Sequence, residues 1–199
     1  MKEPPSFAES FQEQLDTSIA VFTTLKQQHV LIEQIALTIY RALQAGGTLF
    51  TCGNGGSTAD ALHLAEELIG RYRANRRPLP ALCLAADPTA LTCIANDFGY
   101  EQIFSRQLAA LAHPGDVLVC LSTSGASANI VNALRVGREC GVHAIALLGK
   151  DGGAARGLAD QEVIIASNDS ARIQEAHMQI VHYICEVLEQ NELKLEEES

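Results

Sequence analysis

Five short, continuously apolar runs constrain this chain more than any other feature: "TLFTC" (48–52), "ALCLAA" (81–86), "DVLVCLS" (116–122), "HAIALLG" (143–149) and "QEVIIAS" (161–167). Each has strand length, and helix-period segments separate most of them. A strand that is apolar on both faces must be covered on both. The pattern therefore predicts an α/β fold, a three-layer αβα sandwich around a mainly parallel five-stranded sheet. Helices are expected over 57–70, near 88–95, over 100–112, 127–140 and 170–190. Two more belong within 8–45, where Phe11, Leu15, Ile19 and Phe22, then Ile32, Ile35, Ala36, Ile39 and Leu43, keep helical spacing. "AGG" (45–47) stops the second. This pair precedes the alternating unit and needs a surface to pack on; a second subunit is the expected one. The tail "LEEES" (195–199) is expected to fray. No repeat, low-complexity tract or linker interrupts the pattern, so 1–199 is expected to form one domain.

A net charge of −10 argues against a nucleic-acid backbone as the main partner, although a local site can still hold a small anion. The opening "MKEPPSFAESFQEQLD" is polar, so no signal peptide is expected. No apolar run approaches the ~20 residues of a membrane span. Cys52, Cys83, Cys93, Cys120, Cys140 and Cys185 are scattered, and several fall in the apolar runs. Reduced thiols in a cytoplasmic protein are the expectation.

Two loops directly follow predicted strands and open helices: "CGNGGST" (52–58) and "STSGASAN" (122–129). A helix start leaves N–H groups unpaired and carries partial positive charge. Glycines let the backbone approach a ligand, and hydroxyls add donors without bulk. Such loops suit a phosphate even without Lys or Arg. Each loop also reads as a plain strand-to-helix turn with a Ser cap. The second is harder to reduce to that, because Ser122, Thr123, Ser124 and Ser127 place four hydroxyls at one strand end. No G-x-x-x-x-G-K-[ST] run occurs, and "GNGGST" lacks the third glycine of a dinucleotide fingerprint, so a phosphorylated small molecule is favoured over a nucleotide.

His63 and Glu67 are four apart on one predicted helix and share a face. Alone, they read as a helix ion pair flanking the stripe of Ala61, Leu62, Ala65, Leu68 and Ile69. Gln174 and His182 are about two turns apart on the last helix. Ile173, Ile180, Val181, Ile184 and Val187 form its apolar side, and His177 competes for a polar role. Spacing alone leaves His182 as either a satisfied core histidine or a site residue. Carboxylate, imidazole and amide near a phosphate loop suit proton transfer beside a sugar carbonyl. The same group also suits a divalent metal.

The motifs "CGNGGS", "AEELIGRYR", "NDFGYEQIFSRQ", "GDVLVCLSTSGASANI", "GKDGG" and "RIQEAHMQIVH", in this order, resemble the sugar isomerase (SIS) family. Within it they resemble the phosphoheptose isomerases. The likeness runs from about residue 45 to 190. It implies isomerisation of sedoheptulose 7-phosphate to D-glycero-D-manno-heptose 7-phosphate, the first step toward the heptose of lipopolysaccharide core. It also implies a cytoplasmic homotetramer with sites at subunit interfaces, and one zinc ion per subunit. Carried over residue by residue, Asn54, Gly55, Gly56 and Ser57 match the family's substrate-contacting loop. Ser122, Thr123, Ser124 and Ser127 match its phosphate-binding serines, and Asn96 and Asp97 its Asn-Asp pair. His63, Glu67, Gln174 and His182 match its metal set. Glu67 and Gln174 also match substrate contacts, Glu67 the base and His182 the acid. Arg71 falls on a positive position of "GRYR". The family reads Asp-Arg-Ile-Gln-Glu where this chain has Ser170-Ala171-Arg172-Ile173-Gln174-Glu175, with Asp169 close by, and Thr58 and Ala59 replace a bulkier pair. The resemblance leaves two alternatives: a non-enzymatic SIS protein that binds the bacterial replication initiator, or an isomerase of another phosphosugar. Glu67 and His182, both present here, favour the enzyme over the first.

Overall fold

The apolar runs pair into one sheet whose strands all run the same way. In the computed structural model, which describes residues 7–198, they are β1 (Leu49–Gly53), β2 (Ala81–Cys83), β3 (Val117–Ser122), β4 (His143–Gly149) and β5 (Gln161–Ile165). The spatial order is β2-β1-β3-β4-β5, and every pairing is parallel. The sheet expected to be mainly parallel is wholly so. Around it lie α1 (Phe7–Leu25), α2 (His29–Gln44), α3 (Gly56–Ile69), α4 (Pro88–Phe98), α5 (Ser105–Leu111), α6 (Ala128–Glu139) and α7 (Ser170–Glu198).

Successive side chains of a strand point to opposite faces, and here each face has its own core. Leu49, Val117, Val119, Leu121, Ile145 and Leu147 pack with α2, α3 and α7. Phe50, Leu118, Cys120, Ala144, Ala146 and Leu148 pack with α4, α5 and α6. That double burial explains why the strands read as continuous apolar runs. All six cysteines are free thiols, and Cys52 and Cys120 face each other across β1 and β3 with Sγ atoms 3.4 Å apart. No helix among the described residues is long and apolar enough to cross a membrane.

Some boundaries differ from expectation. β2 stops at Cys83, because Ala86 N–H turns back to the Cys83 carbonyl at 3.0 Å. The helix expected over 100–112 divides into a 3-10 turn at Tyr100–Gln102 and α5. The C-terminal helix runs on to Glu198 instead of fraying. Buried carboxylates on its later turns anchor it: Glu189 accepts from Arg73 N–H at 3.0 Å, and Glu192 accepts from Arg77 Nε at 2.6 Å and from Gln44.

The topology also fixes where a ligand can sit. From β1 the chain crosses through α3 to β2 on one side; from β3 it crosses through α6 to β4 on the other. Adjacent β1 and β3 thus flank the point where the winding reverses. The crevice beyond the carboxyl ends of the strands at such a point is the standard binding position of open α/β sheets. Both small-residue loops open into it.

Candidate active site

Parallel strands bring the two loops side by side: Gly53, at the end of β1, is in register with Leu121, one residue before the end of β3. In the serine loop, Ser122 Oγ accepts from Gly125 N–H at 3.0 Å and Ser124 Oγ from Ala126 N–H at 3.2 Å. These two hydroxyls shape the loop. Ser127 sits at the N-cap of α6 yet makes no side-chain cap bond. Its hydroxyl, that of Thr123 and the first amides of α6 are thus left for an anion.

The "KDGG" turn buttresses this loop from behind. Ala155 N–H donates to the Gly125 carbonyl at 2.8 Å, and a Cβ on Gly125 would lie 1.9 Å from the Gly152 carbonyl oxygen. The glycine loop packs against α7 in the same manner. A Cβ on Gly56 would lie 2.2 Å from Gln174 Nε2, so the Gln174 amide rests on the first turn of α3. Ser57 is buried there. Asn54 exchanges side-chain bonds with Asn129 on α6 and accepts one from Tyr100. A cleft of ≈ 220 Å³, lined by Gly53, Asn54, Thr58, Ala85, Tyr100 and Phe104 among others, opens beside this loop.

α3 and α7 then bring together residues far apart in sequence. His63 Nε2 lies 3.2 Å from His182 Nε2 and 3.5 Å from Glu67 Oε1. His63 Nδ1 faces Glu66 Oε1 at 3.1 Å, which fixes the ring so that Nε2 points at His182 and Glu67. Tyr72 lies beside the His182 ring, centroids 5.9 Å apart. Arg76 is buried and ties down the end of α3, its guanidinium donating to the Glu67 carbonyl at 2.7 Å and the Leu68 carbonyl at 2.8 Å. Burial, reinforced by the neighbouring Glu66 charge, holds the Glu67 carboxyl above the ordinary carboxylate range, while His63 and His182 pull it back.

α7 also separates the two histidines that sequence spacing left in competition. His177 turns into the core, and burial, opposed by the Leu148 backbone, pushes its pKa down to about 4. His182 turns to His63. Arg172 and Glu175, from the same "RIQE" stretch, bond to each other and hold α1 through the Gln14 carbonyl and Ser18.

Donor spacing permits a test of the metal set. Atoms coordinated at about 2.0–2.1 Å around a tetrahedral zinc ion sit about 3.3 Å apart. The separations of His63 from His182 and from Glu67, 3.2 and 3.5 Å, fit that edge. His63, Glu66 and Glu67 offer ligand atoms all within 4.8 Å of one another. This donor chemistry suits a divalent metal ion, although neither His182 nor Gln174 belongs to the group of atoms mutually within 4.8 Å.

Not every expected site residue joins this group. Asn96 and Asp97 are exposed on the last turn of α4 and bond to each other at 2.7 Å. Arg71 is exposed. Asp169 caps α7, its Oδ1 accepting from Ala171 N–H at 2.9 Å. Leu62 and Ile69, expected in the stripe of α3, are exposed, and Leu64 takes the core position. Glu66, Tyr72, Asn129 and Tyr100 escaped the sequence reading. The adjacent "EE" at His63+3 was the one available signal for Glu66; the others meet the site only through folding.

Asp60, one turn before His63, is buried, and its Oδ2 has no partner among the described residues. Burial, opposed by His63, pushes its carboxyl up to about 6. An acid whose folded pKa is raised takes up a proton on folding between about pH 4 and 6. Stability therefore falls as pH rises through that window, and the full penalty remains above it. Asp60→Asn is expected to stabilise the metal-free protein by about 2–3 kcal/mol at pH 7. The gain should vanish near pH 4. Urea denaturation of both proteins at the two pH values reads this; an equal gain at both would refute it.

Fold and site together define an SIS-type α/β protein with small-residue loops at two adjacent strand ends and a histidine–carboxylate cluster between α3 and α7. Residues 13–149 match the family model described as SIS domain. A phosphoheptose isomerase of Aliarcobacter butzleri is 44% identical over 178 residues, 89% of this chain and 92% of that protein. One of Paramagnetospirillum magneticum is 53% identical over 148 residues, 74% of this chain and 77% of that protein. The solved structure of a phosphoheptose isomerase from Francisella tularensis superposes with a TM-score of 0.90 at 33% identity, covering 94% of this chain and 100% of that one. The chain belongs to the SIS-domain family and, within it, to the phosphoheptose isomerases.

Proposed function

We infer that this protein is a ketose–aldose isomerase that converts sedoheptulose 7-phosphate to D-glycero-D-manno-heptose 7-phosphate through an enediol. The observation that carries the reading is the approach of His182 and Glu67 to the same His63 nitrogen, at 3.2 and 3.5 Å, where α3 packs on α7. The phosphate binds in the serine loop, held by the hydroxyls of Ser122, Thr123, Ser124 and Ser127 and the amides of α6; Ser122 and Ser124 accept from loop amides and keep their O–H hydrogens to donate. This remote anchor fixes the sugar chain and supplies binding energy away from the reacting carbons. Asn54, Gly55, Gly56, Ser57 and Gln174 line the path from phosphate to carbonyl. Asn96 and Asp97 are assigned to the sugar site by their match to the family's Asn-Asp pair.

Glu67 removes the proton from C1 of the ketose, and its raised pKa strengthens it as a base. The hydroxyl proton passes from O1 to O2. His182 protonates C2 to give the aldose, and the proton on Glu67 returns to the imidazole. His63, Glu67, Gln174 and His182 would hold one zinc ion, which when bound polarises the carbonyl oxygen. The product is the heptose phosphate from which the lipopolysaccharide core sugar is built, and we place the protein in the cytoplasm. We also assign a homotetramer. Phe7, Phe11, Leu15, Ile19 and Phe22 form an outward apolar stripe on α1, the first two 98% and 62% exposed. A stripe of this size is what a subunit contact covers.

The test is incubation with sedoheptulose 7-phosphate and a panel of other ketose phosphates, with and without zinc, following proton exchange at C1 and C2 by NMR. Exchange confined to the seven-carbon ketose is expected. Exchange with a different ketose alone would reassign the substrate, and none with any ketose in the zinc-loaded protein would end the isomerase reading.

A further inference from the structure

Asn54 at the end of β1, Asn129 in the first turn of α6 and Tyr100 in the turn after α4 form one closed hydrogen-bond cluster. Asn54 Nδ2 donates to Asn129 Oδ1 at 2.9 Å, and Asn129 Nδ2 donates back to Asn54 Oδ1 at 2.8 Å. Tyr100 Oη donates to the same Asn54 oxygen at 2.9 Å. The partners are 75 and 46 residues from Asn54 in sequence. Asn129 is 1% exposed, whereas Tyr100 is 59% exposed.

Amide accounting shows what this leaves. A side-chain amide has two acceptor lone pairs and two donor hydrogens. Both lone pairs of Asn54 Oδ1 are taken, and one of its two N–H groups is taken. In a reciprocal amide pair the bonded hydrogen is the one beside the carbonyl. The remaining hydrogen projects away from Asn129, so Asn54 can offer a ligand a donor and no acceptor. The pair also ties the glycine loop to α6, the helix that the serine loop opens, at the point where the winding of the sheet reverses.

We propose that Asn129 and Tyr100 are positioning residues that act through Asn54, locking the two loops into one ligand-binding unit and committing Asn54 to donate to a substrate oxygen. The proposal rests on the isomerase reading for its substrate, though not for its geometry. Breaking the pair frees the Asn54 amide to rotate and lets the loops move apart. The ligand then binds more weakly, while Glu67 and His182, on different elements, keep their places.

The experiment is a double-mutant cycle on KM and kcat for sedoheptulose 7-phosphate, with Asn129→Ala, Tyr100→Phe, Asn54→Ala and the two doubles containing Asn54→Ala. Asn129→Ala is expected to raise KM about tenfold or more, as loss of two partly buried hydrogen bonds warrants, with kcat changed less. Tyr100→Phe, at an exposed residue where folding is not at stake, is expected to raise KM about threefold. Neither should add to the effect of Asn54→Ala, because each acts through that side chain. A general structural role would add in full. Wild-type KM in both single variants, or additive effects in the doubles, would overturn the proposal. The same cycle is read on binding of inorganic phosphate by NMR titration. If the wild-type protein turned over no ketose phosphate, the reaction would be wrong, and the proposal would stand or fall on the phosphate cycle. A wild-type protein that neither reacts nor binds phosphate overturns both.

Discussion

Replacing Glu67 with Gln is expected to leave a folded protein whose turnover is lower by about 10³-fold. The change keeps the size and polarity of the side chain and removes only its capacity to take a proton. Glu67 is about 15% exposed, and burial with the Glu66 charge raises its pKa. The native carboxylate is therefore held at a cost in stability above its folded pKa, and that cost disappears in acid. Glu67→Gln should accordingly be no less stable than the wild type at neutral pH, and any gain should shrink as pH falls. Loss of activity without loss of stability is the signature of a group kept for chemistry. Saturating zinc in the assay separates loss of the base from weaker metal binding. NMR proton exchange at C1, alongside thermal unfolding, checks both halves. A variant retaining more than about a tenth of the wild-type rate would remove Glu67 as the base.

Gly125→Ala is expected to do the reverse, damaging the fold and the anion site together. Gly125 has φ +59°, and a Cβ there would lie 1.9 Å from the Gly152 carbonyl oxygen and 2.4 Å from its carbon. The left-handed backbone costs alanine about 1–2 kcal/mol. The overlap is worse, because the obstacle is backbone and no side chain can rotate away. The serine loop or the "KDGG" turn must shift, and the bond from Ala155 N–H to the Gly125 carbonyl goes with it. A total loss of roughly 3–5 kcal/mol, or about 6–20 °C in Tm, follows. KM should rise by about 100-fold, the scale of losing two or three phosphate contacts. Gly157→Ala is the control: φ is +77° there with nothing within 4 Å of a Cβ, so only the backbone penalty of about 1–2 kcal/mol applies. Equal effects at the two positions would show that the interlock with "KDGG" does not matter.

Much of this architecture was legible in the residues. A strand buried on both faces is apolar at nearly every position, and β1, β3 and β4 are so apart from Thr51, Ser122 and His143, which is why their runs stood out. The two loops were legible because tight turns before helices demand glycine and small hydroxyl residues. The stripes of α1 and α2 were both legible and both expected to meet a second subunit; α1 does face outward, whereas α2 buries Ile32, Ile35, Ala36, Ile39 and Leu43 in the chain's own core, since periodicity says that residues share a face without saying what that face meets. The same gap explains Leu62 and Ile69, apolar yet exposed, and the capping bond of Asp169 at the start of α7.

Local pattern, then, determined the α/β class, the five strands, the placing of both loops at strand ends and the pairing of His63 with Glu67 on one helix face. Only the folded packing decided that His182, 119 residues beyond His63, turns toward it while His177 turns into the core. It likewise joined Asn54 to Asn129, and set Gln174 on the first turn of α3. The division has a physical cause. Helical and strand periods are set by neighbours within a few residues, so they are written locally. Which side chains meet depends on the register and crossing of elements far apart along the chain, and no short stretch of residues carries that information.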